Sequence, residues 1–136
     1  MDSWSDIFAP LLGRILMGGF FLWNGIEAAL NFPAATLVFV NVGMPYPLSM
    51  AFAAILIEVL CGILLIVGSY TKPAATSLAI FVLCSSFLYS TKGNSGMSEA
   101  YFLQDMAIIG GLLFISAYGS GSRSPDWKFA TKTKKK

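Results

Sequence analysis

The sequence predicts an all-α integral membrane protein: a four-transmembrane-helix bundle with a short interfacial helix between spans 1 and 2. Three observations carry that reading. Hydrophobic residues make up 56% of the chain and charged ones only 12%, with a mean hydropathy of +0.70. A soluble domain normally carries about a quarter charged residues, so half the usual solvating charge is missing. Four apolar runs also approach the ~20 residues that a helix needs to cross a ~30 Å hydrocarbon core. Finally, polar turns with proline or glycine separate those runs.

The first span is expected over Ile7 to Leu30, with Pro10 in its first turn and "NFP" at Asn31 to Pro33 as its stop. The N-terminal "MDSWSDIF" has no basic stretch, and the apolar run behind it is too long for a signal-peptide core, so a retained first span is expected. "AATLVFVNVGMPYP" follows. It is too short to cross and is expected to hold an interfacial helix from Ala34 to Asn41, because an unpaired strand in lipid would strand its backbone polar groups. The second span is expected over Pro47 to Val67, closed by "GSYTKP", and the third over Pro73 to Ser90, closed by "TKGNSG". The fourth runs from Ser98 to Tyr118, where "GSGSRSP" breaks it. The division is thus a transmembrane domain over 1–118 and a basic tail over 119–136.

That tail sets the orientation. It holds Arg123, Lys128, Lys132, Lys134, Lys135 and Lys136 against Asp126 alone, while the body has Arg14, Lys72 and Lys92 against six acids. With four spans both termini share a side, and placing that side in the cytoplasm puts Lys72 and the tail inside and Lys92 alone outside. The localisation expected is a prokaryotic cytoplasmic membrane, with the tail either a solvated end or an anchor on anionic lipid. No pattern of basic and aromatic residues suggests nucleic acid.

The chain has no histidine and two cysteines, Cys61 and Cys84, outside any C-x-x-C pair. It is therefore poorly supplied for haem, zinc or an iron–sulfur cluster. No metal site is expected and no cofactor held by the chain's own ligands, though contact with a quinone or lipid is open. The cysteines read as small packing residues.

Glu58 stands inside "AILIEVLCGILLIVG". Helical spacing puts it on one face with Ala51, Ala54, Ile55, Cys61, Gly62 and Leu65, opposite Ile57, Leu60, Leu64 and Val67. Small residues line helix contacts in membranes, so Glu58 is expected to face protein rather than lipid. Arg14 shares a similar face with Gly18, Phe21, Gly25 and Ala28. An Arg14–Glu58 ion pair is plausible across a depth gap of about six residues, ~9 Å of rise. Such a pair can serve registry alone, or it can mark a proton or quinone-headgroup site. Asp105, Glu27 and Asn24 lie near span ends, where polar groups are cheaper. The candidate polar residues are therefore Arg14, Glu58, Asp105 and Asn24, and the candidate packing residues Gly18, Gly25, Ala54 and Gly62; no catalytic residue is singled out.

"LLGRILMGGFFLWNGIEAAL", "VGMPYPLSMAFAAILIEVLCGILLIVGSYTKPAA" and "QDMAIIGGLLFISAYGSGSRSPD" together resemble the DoxX family of small four-span membrane proteins. The resemblance carries family motif positions onto Arg14, Glu58, Gly62, Gly68 and Asp105. The chain departs at Glu27, where relatives often place a basic residue. Some relatives are subunits of thiosulfate:quinone oxidoreductase or associate with membrane redox complexes. The resemblance thus implies an integral subunit of a larger electron-transfer complex, mainly structural, with other membrane subunits as partners. The alternatives are a quinone-linked oxidoreductase subunit acting on a small sulfur compound, and a small membrane carrier, although no inverted repeat supports the carrier.

Overall fold

The computed structural model describes residues 4–92, 99–121 and 124–134. Within them the chain forms six helices: α1 (Trp4–Leu30), α2 (Phe32–Asn41), α3 (Pro47–Val67), α4 (Thr71–Lys92), α5 (Glu99–Tyr118) and α6 (Pro125–Thr133). There is no strand among the described residues. Helices α1, α3, α4 and α5 are each long and apolar enough to cross a membrane.

Helix α1 begins three residues before Ile7, so Pro10 lies inside it rather than in its first turn. The extension is supported by Trp4 stacked on Phe8, one turn on, with ring centroids 4.7 Å apart, an i,i+4 pair of the kind that stabilises helix ends. Asp6 in the first turn suits the positive end of the helix dipole. "NFP" is a much shorter stop than expected. Asn31 donates to the Glu27 carbonyl, and Ala35 donates to that of Asn31, so α1 passes into α2 across a single residue. Pro33 falls in the first turn of α2, where its missing N–H costs nothing. Helix α4 likewise starts at Thr71, two residues before Pro73, for the same reason.

The spans pack mainly as two antiparallel pairs, α1 with α3 and α4 with α5, joined through α3 and α4. The core holds Phe21, Leu65, Leu78, Val82 and Leu112 with Ala74, Ala75 and Ala79. Backbone contact fixes the register of the first pair. A β-carbon built on Gly18 would stand 2.7 Å from the Gly62 carbonyl oxygen, and one built on Gly62 would stand 2.9 Å from that of Gly18. One built on Gly25 would meet Val59 Cγ2 at 2.7 Å. These glycines are close-approach positions, as their spacing predicts. Ala54 is half-buried and borders a cavity instead.

The face assigned to Glu58 holds: Ala51, Gly62 and Leu65 are buried. The opposite face is narrower than expected, because Ile57 and Leu64 pack against the core, leaving Leu60 and Val67 exposed there. Cys61 also packs against the core, while Cys84 faces outward. Large apolar side chains such as Leu16, Trp23 and Phe114 project from the outer surface, as a bilayer solvent requires.

The tail is more than a solvated end. Pro125 to Thr133 form α6, whose Asp126 reaches back to the start of α4.

Candidate functional site: a polar cavity and a buried arginine

Polar side chains gather at two levels of the bundle. The first is a cavity of about 380 Å³ between α1, α3, α4 and α5, with α2 laid against it through Ala35, Val38 and Phe39. Its polar lining is Asn24, Glu58, Ser85, Tyr89, Tyr101 and Asp105, and aromatic rings of Phe20, Phe21, Phe39 and Phe81 fill much of the rest. Tyr89 lies within electrostatic reach of both Glu58 and Asp105. The Ser85 hydroxyl donates to the Phe81 carbonyl at 2.7 Å, which leaves its oxygen able to accept from the cavity. Three of the four candidate polar residues, Asn24, Glu58 and Asp105, therefore meet here. Glu27 does not; it is exposed beyond them. Sequence reasoning passed over Ser85, Tyr89 and Tyr101. The signal for the first two was an i,i+4 polar pair on one face of an apolar span.

Arg14 is not part of this group, and the Arg14–Glu58 pair is corrected. The guanidinium of Arg14 lies against Gly68, with its Nη1 where a β-carbon on that glycine would sit. Gly68 is ten residues beyond Glu58, ~15 Å of helix rise. The Gly18–Gly62 contact sets this register: it brings Glu58 level with Gly25 and sends Arg14 past the end of α3.

There Arg14 is only 2% exposed, at the carbonyl end of α3, where a cation complements the helix dipole. Gly68 caps α3 at φ 80°, with its N–H on the Leu64 carbonyl at 2.9 Å. Its missing β-carbon makes room for Arg14 and for Ser124, whose Cβ would be 3.1 Å from it. Asp126 completes the second level. Its two carboxylate oxygens accept from the backbone N–H groups of Tyr70 and Thr71, each at 2.9 Å, and so cap α4 from a residue far along the chain. Burial alone would push the Asp126 carboxyl up. The N–H bonds from Thr71 and Tyr70 and the charge of Arg14 outweigh it and hold the group below the usual carboxylate range. The sequence reading had treated Asp126 only as the lone acid of a basic tail.

A family model described as DoxX matches residues 9–91, which include most of α1, all of α2 and α3, and nearly all of α4. The chain belongs to the DoxX family. Two relatives from Escherichia coli (strain K12) extend the likeness of this DoxX protein over most of its length. The inner membrane protein YphA is 25% identical over 121 residues, covering 85% of this chain and 86% of the relative. The inner membrane protein YqjF is 28% identical over 116 residues, covering 85% and 88%. No solved structure matches the chain. Family membership and four membrane-length helices together make this DoxX chain an integral membrane protein. Both polar levels draw on residues inside the matched segment, Glu58 and Arg14, while Asp105 and Asp126 lie beyond it.

Proposed function

We propose that this DoxX protein is an integral, mainly structural subunit of a larger membrane electron-transfer complex, and that its Glu58 cavity borders the headgroup of a quinone. The observation that carries the reading is the cavity itself. It sets two carboxyl groups, two phenols, an amide and a hydroxyl among phenylalanine rings, beside a core of apolar side chains. Its volume lies within the ~300–1,000 Å³ typical of small-molecule sites.

The donor set fits such a headgroup. Tyr89, Tyr101 and Asn24 can donate to carbonyl oxygens, and Glu58 or Asp105 can hold or release a proton beside them. The phenylalanines offer flat apolar surface to a ring. A bound quinone would supply the redox chemistry; the residues of this chain orient, desolvate and hold protons. The apolar exterior gives partner subunits or lipid a continuous contact surface. The same reading places both termini in the cytoplasm, on the balance of Lys72 and the tail against Lys92.

The test is to purify the host complex in mild detergent with and without this chain. Loss of the chain should lower thermal stability and quinone-dependent turnover more than electron transfer to an artificial acceptor. Glu58→Gln and Tyr89→Phe should raise the apparent KM for quinone in the complete complex. A protein that runs alone in mild detergent and moves a solute in liposomes would replace this reading with the carrier.

A further inference from the structure

The Arg14 level holds hydrogen-bond donors that its occupant does not reach. The Asp126 carboxylate accepts one N–H on each oxygen, from Tyr70 and from Thr71. Arg14, 98% buried against Gly68, keeps its Nε and Nη1 without a hydrogen-bond partner. An unsatisfied guanidinium donor in a buried position is costly, and the Asp126 carboxylate, tied to those two backbone N–H groups, does not reach Nε or Nη1. A tetrahedral anion in the same place spreads its acceptor oxygens in more directions. Helix N-termini receive phosphate through the same type of backbone N–H group, and arginine binds phosphate through paired N–H groups. There is also room: Asp126 lies on the wall of a cavity of about 460 Å³ that includes Lys72 and Ser120.

We propose that the α3–α4 turn, the first N–H groups of α4 and the guanidinium of Arg14 form a binding site for a phosphate-bearing anion at the membrane surface, closed at rest by the chain's own Asp126 as a displaceable internal occupant. Helix α6 is then a tethered stopper. Its exposed Lys128 and Lys132, with Lys134 just past its end, are drawn to anionic lipid, so the surface that carries phosphate also pulls the stopper aside.

The test uses the full-length chain in phosphatidylcholine nanodiscs at matched ionic strength. One arm adds inorganic phosphate, and the other replaces part of the lipid with phosphatidylglycerol. Asp126→Asn keeps the shape of the segment and removes its charge. Its melting temperature should fall below that of the wild type and recover in at least one arm. Recovery with inorganic phosphate marks a free-anion site, and recovery with phosphatidylglycerol alone marks a headgroup site. The recovery should vanish in Asp126→Asn combined with Arg14→Gln. A folded Asp126→Asn protein that responds to neither probe, or a recovery that persists without Arg14, overturns the proposal. Should Asp126→Asn not fold, amide exchange in the wild type decides. Exchange over residues 124–133 should quicken severalfold in one of the two arms as the anion displaces α6, and unchanged exchange in both overturns the site.

Discussion

Glu58 and Arg14 take opposite surroundings from one packing contact. Because Gly18 meets Gly62 backbone to backbone, Glu58 comes level with Gly25 and faces the aromatic cavity, while Arg14 is carried to Gly68. Substitutions at the two residues should therefore act independently. The losses of folded protein in membranes caused by Glu58→Leu and Arg14→Leu are expected to add to within about 0.5 kcal/mol; rescue of one by the other would restore the direct pair. Gly68 is held by two constraints, a left-handed φ of 80° and the guanidinium that fills its missing β-carbon. Strain at such a position costs about 1–3 kcal/mol for a residue with a side chain. Asn tolerates left-handed backbone but still clashes with Arg14, so Gly68→Asn and Gly68→Ala should both lower the melting temperature in detergent. Full stability in the asparagine variant would leave backbone strain as the whole explanation.

At the level of elements, close approach of α1 to α3 depends on glycine at particular places. Gly62→Ala forces a methyl towards the Gly18 carbonyl and should cost about 1–3 kcal/mol. A methyl on Gly110, in the middle of α5, meets nothing within 4 Å, and Gly110→Ala should be neutral or stabilising by up to about 1 kcal/mol through helix propensity. Thermal melts of the two variants give the comparison, and equal losses would remove the packing argument. Helix α6 is held in a different way, through a charge. The folded-state pKa of Asp126 is depressed, so its contribution is complete above the ordinary carboxylate value of about 3.9 and is lost as pH falls through the lower folded value. Exchange at the amides of Tyr70 and Thr71, corrected for intrinsic rates, should quicken in that acid range and stay protected at neutral pH. Uniform protection down to acid pH would mean that the carboxylate charge does not hold α6.

For the whole molecule, the two polar levels lie towards opposite sides of the bundle. The Arg14 level is on the side of both termini, and the Glu58 cavity lies towards the α2 side. Topology therefore decides which compartment each level faces. With a protease-sensitive tag after Lys136, intact cells should protect the tag and opened cells should expose it. Cleavage from outside would turn the molecule over, placing the Arg14 level outside and the cavity towards the cytoplasm.

Span number, span limits to within a few residues, the short helix between spans 1 and 2, and the inward face of Glu58 all follow from the sequence alone. They depend on local quantities: run length against bilayer thickness, proline and glycine punctuation, and helical spacing of small residues. The partners of the charged groups needed the tertiary structure. Arg14 and Glu58 looked close enough to meet because depth was counted from span ends, whereas a glycine contact in the middle of the helices sets their true offset. Asp126 looked like part of a solvated tail because nothing local says that a carboxylate will cap a helix that starts fifty-five residues earlier. The capping distance is short in space and long in sequence, and only the packing of four helices brings the ends of α3, α4 and α5 to one place.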